Sequence, residues 1–480
     1  MPNVTGQSRE EWVFEHTRSP VDAPLTWPAA DLDPAKARLT VRARPEDPRT
    51  TPAGLSFRFI DRQRIEITRP AQGFDGSALY ELVYEARDPK VMGLASAALR
   101  DVASFLRHET GPMNPLAAAG RSGIERAIAF GISQSGRVLR DFLHLGFNED
   151  ERGRVVFEGM MPHIAGSRRS FTNARFAQPG RNPAPHLDRY YPADQFPFSY
   201  AVTTDALSGR RDGLLLRCRL SNTCPRLMHV DSEYEMWGSR GALITTDTRG
   251  NQLDLPPEVR AYMVTGAPHF SAPNGRTQAN AACALPVSPL HAGSASRALL
   301  AALDGWIADG AEPPASRYPN RASGTLAGAD HIYPVIPGLP YSGMYNPAQW
   351  VEQTGTVPVV RGTYPLLLPR VDQDGNTIGG IRLPLHEVPR ATYTAWNPMN
   401  GQAAANLCNQ QGGVIPFLAT KSERVSAGDP RLALDERYPT PEAYVAAIAS
   451  AANRLVAERF LLPEDATEMV SAAQAGTLAR

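Results

Sequence analysis

The period of apolar and polar positions changes several times along the chain, and each change predicts an element. Leu55, Phe57 and Phe59 alternate with polar residues, and Ile65 and Ile67 do the same. A period of two predicts strands, and Asp61-Arg62-Gln63 between them suits a hairpin turn. ALYELVYEA at 78–86 predicts a further strand. The period then lengthens. Leu94, Ala98, Val102, Phe105 and Leu106 recur at helical spacing up to about His108, which predicts a helix with these five toward the core. Asp88 suits its cap and Pro89 its first turn. Residues 124–132 are apolar and predict a short buried strand. After them Val138, Leu139, Phe142 and Leu143 share one helical face, with Gly146 as the stop. Strands follow at 155–161, 226–230 and 259–265. A helix at 294–307 carries Leu299, Leu300, Leu303, Trp306 and Ile307. Alternating strands and helices over about 78–310 predict an α/β fold, a mainly parallel sheet with helices on both faces.

The rhythm breaks in three places. Residues 1–53 are Pro-rich and weakly patterned, and read as an N-terminal arm. Residues 166–224 interrupt the core at 54–314 with a segment rich in Pro, Arg and aromatic residues, as expected of a lid insertion. From Pro313-Pro314 the texture changes again. Short β-like runs (YPLLLPRV, IGGIRLPL, ATYTAW) over 315–430 predict a β-rich accessory lobe, and 431–480 predict C-terminal helices. In the turn VDQDGNTIGG the glycine stands at position four of an acidic run. A calcium loop needs it at position six, so an Asp-Gly hairpin turn is the better reading.

Composition narrows the function. The 480 residues carry 49 basic and 49 acidic side chains, a formal net charge of zero, so no electrostatic field points to nucleic acid or a membrane surface. No apolar run reaches the length of a membrane-spanning helix. The opening residues, MPNVTGQSREEWVFEHTR, lack the apolar centre of a signal peptide. The chain as it stands reads as cytoplasmic, and as periplasmic or secreted if its start is truncated. Of the four cysteines, Cys218 and Cys224 flank a loop and could pair, while Cys283 and Cys408 are far apart in sequence. Two disulfides would suit an oxidising compartment, and four unpaired buried thiols fit the sequence equally well. The cysteines form no metal pattern, and no metal or cofactor is expected.

The candidate chemistry sits between the strand at 124–132 and the helix after it, in Gly131-Ile132-Ser133-Gln134-Ser135-Gly136. A serine on a sharp strand-to-helix turn needs small neighbours. Here Ser135 takes the place of the usual second glycine of a nucleophile elbow. The backbone N–H of Gln134, the residue after the nucleophile, is the expected oxyanion donor. The sequence leaves a second donor open, with Arg137 one choice. A serine hydroxyl needs a base, and the base needs a carboxylate. His269, in a Gly/Pro loop just past the strand at 259–265, stands where ligands of open α/β sheets bind. His163 is the runner-up, His229 reads as packed inside a strand, and His291, His331 and His386 lie in later loops. Asp231, Glu233 and Glu235 compete for the acid, and spacing alone does not choose among them. In the lid, Arg168, Arg169, Arg175 and Arg181 could grip a substrate carboxylate or form a solvated face. Phe171, Phe176, Tyr190, Tyr191, Phe196 and Phe198 could wall a pocket or pack the lid.

The runs GISQSGRVLRDFLHLGFN, VFEGMMPHIAG, EYEMW and VTGAPHF together resemble a bacterial family known only as the alpha/beta hydrolase domain family. The similarity extends to YEARDPKVMGLASAALRDVASFLR before them. After them it takes in AEPPASRYPNRASGTL, VDQDGNTIGGIRLP and ERVSAGDPRLALDERY, and so covers most of the chain from about residue 55. In that family a Glu followed by an aromatic residue and Trp ends the acid strand. Glu235-Met236-Trp237 matches, with Met in the aromatic position, so the resemblance implies Glu235, with Asp231 second. The elbow also resembles, locally, the G-x-S-x-x-G-[KR] motif of glucuronoyl esterases. Members of the first family often carry a signal peptide and a longer N-terminus, which this sequence does not show.

These readings imply an alpha/beta-hydrolase fold and a serine esterase. Ser133 would be the nucleophile, His269 the general base and Glu235 the orienting acid, acting on a small-molecule or oligomeric ester. A lactonase, amidase or acyl transferase could use the same three residues. A non-catalytic hydrolase-fold binding protein is the alternative from another class. The sequence sets neither the substrate nor the oligomeric state.

Overall fold

The computed structural model describes the chain apart from residues 1, 15, 45–46, 119, 173, 179–194, 273–275, 331, 342, 344–345, 353–354, 356–357, 402–406, 409 and 479–480. The first 53 residues, weakly patterned in sequence, contain three strands: β1 (Thr5–Trp12), β2 (Val21–Pro24) and β3 (Arg38–Arg42). With β4 (Ser56–Asp61), β5 (Arg64–Thr68) and β6 (Leu79–Arg87) they form two antiparallel sheets, ordered β1-β6-β3 and β2-β5-β4. The strand read at 78–86 therefore belongs to an antiparallel sheet, not to the parallel one. The β4–β5 turn is the hairpin expected, and the Asp61 carboxylate accepts the Gln63 N–H at 2.7 Å. Ile65, Ile67, Tyr80, Leu82 and Tyr84 alternate into a common core with Trp27 and Val41. On the opposite face of β6, Glu81 lies buried among Arg9, Arg42 and Arg49.

The next helix, α1 (Leu94–His108), starts later than expected, with Gly93 as its cap residue. Asp88 is still tied to the β unit, its carboxylate accepting the Asn3 N–H at 2.7 Å and its own N–H bonding Val4 O. The helix also faces otherwise than its period suggested. Its buried residues are Ser96 and Ser104, while Leu94 is 65% and Val102 58% exposed. The Ser104 hydroxyl donates to Asp150 at 2.6 Å.

The parallel sheet comprises β7 (Ile128–Ile132), β8 (Gly159–His163), β9 (Arg226–Ser232) and β10 (Val259–Val264), in the order β10-β9-β8-β7. Helix α2 (Gln134–His144) follows β7, α3 (Tyr234–Gly238) follows β9, and α4 (Gly293–Asp309) follows β10. β8, β9 and β10 are buried on both faces, as strands of a parallel sheet covered by helices are. On one face Met161, Met228, Val230 and Val264 pack on Leu299, Leu303 and Trp306 of α4. On the other, Met160, Leu227 and Met263 belong to a core with Leu139, Phe142 and Leu143 of α2. β7 is the outer strand of the four, and its Phe130 and Ile132 are 45% and 51% exposed. This corrects the expectation of a short buried strand at 124–132: the strand begins at Ile128, and as an outer strand it leaves alternate side chains exposed. Among the described residues no further strand pairs with the free edge of β7.

At the other edge, later residues close over β10. Ile381 exchanges hydrogen bonds with Met263 and Thr265, and Arg317 bonds Ala261 and Met263. The region 315–430 also holds three short antiparallel pairs: Leu326–Gly328 with Leu367–Pro369, Gln349–Glu352 with Val359–Thr363, and Ala391–Thr394 with Gly413–Pro416. The acidic run at Asp372 is a hairpin turn between Val371 and Thr377, with Gly375 at φ +76°. Two disulfides are present. Cys218–Cys224 spans a separation of six residues and Cys283–Cys408 one of 125. Helices α5 (Pro441–Ala457) and α6 (Pro463–Gln474) end the chain, with Leu455 and Ala466 in the core that also contains α4. Among the described residues no helix is long and apolar enough to cross a membrane.

Candidate active site

Ser133 occupies the joint between β7 and α2 with φ +55° and ψ −114°, a conformation rare for any residue but glycine. Its neighbours explain how the chain turns there. A Cβ on Gly131 would lie 2.6 Å from the Ser135 carbonyl oxygen. One on Gly136 would lie 2.9 Å from the Gly131 oxygen and 3.0 Å from that of His163. Both positions therefore need glycine. Ser135 is exposed, which is why a side chain fits where the elbow pattern usually has a second glycine. The turn is fixed by the Ser133 N–H donating to His163 O at 2.8 Å and the Arg137 N–H donating to Ser133 O at 3.0 Å. Gln134 is the first residue of α2, at the helix end whose N–H groups point outward.

The half-buried Ser133 hydroxyl lies 2.8 Å from Nε2 of His269, and Nδ1 of His269 lies 2.6 Å from Oε1 of Glu235. Glu235 is fully buried in the first turn of α3, and His269 is buried in the loop after β10. The sheet thus brings three side chains from three separate strand ends into one line. The other Glu235 oxygen accepts the Ser232 hydroxyl. The Tyr234 ring stands edge-on to His269 at 6.1 Å between centroids, and Phe270 at 4.8 Å. Burial pushes the Tyr234 phenol well above its ordinary pKa.

The rival groups are committed elsewhere. Asp231 Oδ2 lies 2.8 Å from His229 Nε2 and accepts the Tyr318 hydroxyl at 2.8 Å, while Oδ1 accepts the Gly166 N–H at 3.1 Å. His229 is packed as expected, its other nitrogen 2.8 Å from the Tyr200 hydroxyl. Glu233 accepts the Gly266 N–H at 2.7 Å. His163, the other candidate base, has Nδ1 3.2 Å from Val230 O, and burial lowers its pKa to about 4. His386 is buried beside Thr265 in the helical turn Pro384–Glu387, and His331 lies outside the described residues.

The described lid arginines differ in their surroundings. Arg169 binds Asp141 and lies 2.7 Å from His144, Arg168 is buried, Arg175 is exposed, and Arg181 lies outside the described residues. The described lid aromatics also separate. Phe176 packs on Trp27 of the N-terminal β unit, Phe196 and Phe198 cluster with Tyr364, Phe171 is exposed, and Tyr190 and Tyr191 lie outside the described residues.

Sequence reasoning passed over Ser232 and Tyr234. The spacing Ser232-x-x-Glu235 is the visible signal, since a hydroxyl three residues before a glutamate reaches it across one turn. The arrangement can supply a base-activated hydroxyl whose imidazole partner is held by a buried carboxylate. Among known families, the profile described as "Alpha/beta hydrolase domain" matches residues 3–471. No curated protein and no solved structure gives a significant match.

Proposed function

The chain belongs to the alpha/beta hydrolase domain family, and from that premise we propose that it is a serine hydrolase of carboxylic esters. The observation that carries this reading is the hydrogen-bonded line from the elbow serine to His269 and Glu235, at 2.8 and 2.6 Å. Ser133 Oγ attacks the ester carbonyl carbon while His269 Nε2 takes the hydroxyl proton. The buried Glu235 carboxylate orients the ring and stabilises the imidazolium. The tetrahedral oxyanion forms beside the start of α2, where the Gln134 N–H is the donor we assign to it. Collapse breaks the bond to the leaving alkoxide, which takes the proton from His269. Water, deprotonated by the same nitrogen, then releases the acid from the acyl-enzyme and restores Ser133. None of these steps calls on a metal or cofactor.

The two disulfides support an oxidising compartment, periplasmic or exported, over the cytoplasm. Covalent labelling by a fluorophosphonate tests the assignment of the nucleophile. The parent should label and hydrolyse p-nitrophenyl esters, and Ser133→Ala should do neither. A parent that does not label would favour a binding protein on a hydrolase fold. A panel of esters, lactones and amides separates ester hydrolysis from its rivals.

A further inference from the structure

The segment carrying Glu235 does more than present one carboxylate. Each of its residues from Ser232 to Glu235 bonds either the loop that carries His269 or Glu235 itself. The Glu233 N–H donates to Val264 O at 3.1 Å, and the Tyr234 N–H donates to Ala267 O at 3.2 Å. The Glu233 carboxylate accepts the Gly266 N–H at 2.7 Å and the Trp237 indole N–H at 3.3 Å, and it also bonds Thr377. Gly266 has φ +67°, and a Cβ there would lie 2.4 Å from the His386 ring. Residue 266 is therefore held from one side by Glu233 and stopped on the other by His386, three residues before His269.

We propose that Glu233, resting on the ester-hydrolase reading, is a positioning residue that sets the placement of His269 against Ser133 by holding the Gly266 N–H. Glu233 is fully buried, so it acts through the loop it bonds. Burial pushes its carboxyl above the usual range against the pull of its hydrogen bonds.

The test compares variants by steady-state kinetics on a p-nitrophenyl ester and by the low-field proton NMR signal of the His269 Nδ1–H bonded to Glu235. Glu233→Ala should lower kcat at least tenfold, change KM less than threefold, and broaden or move the low-field proton. Glu233→Gln keeps an oxygen for Gly266 and should retain most of kcat and the parental proton signal. If the alanine variant does not fold, Glu233→Asp, one methylene too short to reach Gly266, should give the same loss. A folded Ala or Asp variant with kcat within threefold of the parent, or with an unmoved proton, overturns the proposal. So does a Gln variant as impaired as Ala. Ser133→Ala run in parallel keeps the two claims apart: unchanged turnover there sinks the hydrolase reading, while the proton signal still reports on Glu233.

Discussion

Holding Ser133 at a positive φ costs on the order of 1–3 kcal/mol, which the surrounding bonds to His163 and Arg137 must offset. Ser133→Ala keeps the Cβ and loses only the hydroxyl, so on the proposed mechanism kcat should fall by about a thousandfold or more with the melting temperature unchanged. Ser135→Ala, at an exposed position, should stay near the parent in the same assay. Glu235→Gln should cut kcat by about a hundredfold or more, while Asp231→Asn should act mainly on stability by leaving buried His229 without its anion. Thermal melts beside the kinetics separate the two, and equal small losses in rate would place the acid elsewhere. A different carboxylate, Glu81, contributes to the response to acid. Desolvation pushes Glu81 up, but the Arg49 hydrogen bond and the charges of Arg9, Arg42 and Arg49 outweigh it and hold it at about 2, below the ordinary 4.5. Its stabilisation, on the order of 3 kcal/mol, is fully present above about 4.5 and is lost as pH falls through about 2. Urea unfolding should show Glu81→Gln less stable than the parent at pH 7, with the gap narrowing below pH 4.

At the scale of elements, periodicity reported what each segment is better than what it touches. The helix expected up to about His108 is there, but its apolar stripe faces outward, because spacing shows which residues share a face and not whether anything covers it. Leu94→Ala should therefore cost under about 0.5 kcal/mol, whereas Leu303→Ala in α4 should cost about 2–5, as read by denaturant melts. Strands β1 to β3 escaped notice because their partners are remote, Thr5 pairing with Arg87 for example. Ser133 and His269 were legible because glycines and strand ends surround them. Which carboxylate reaches His269 was not legible from spacing: Asp231, Glu233 and Glu235 are all buried and each has a different partner, His229, Gly266 and His269. Only the likeness of Glu235-Met236-Trp237 to a known family separated them.

Across the whole molecule, residues beyond 314 reach back to the loops that carry Glu235 and His269. Asn346 bonds Trp237 O, Ile381 bonds Met263 and Thr265, Gln410 O accepts the Phe270 N–H, and Cys408 is bonded to Cys283. A chain ended at 314 should fail to label with a fluorophosphonate even where it stays soluble. All four cysteines are paired, so the denatured, unreduced protein should show no reactive thiol by Ellman titration, and four after reduction. Removing both Cys283 and Cys408 should cost roughly 2–5 kcal/mol. The long span of that bridge also sets a schedule for biosynthesis. Cys283 leaves the ribosome 125 residues ahead of Cys408, which at about 5–20 residues per second is a wait of roughly 6–25 s. Cys218 and Cys224, only six residues apart, are both out of the ribosome before Cys283 emerges. If they close as they enter the oxidising compartment, in the same order, they leave Cys283 a single partner still to come. The order of emergence then guards the correct pairing, and an oxidant arriving late would expose Cys283 to three possible partners instead of one.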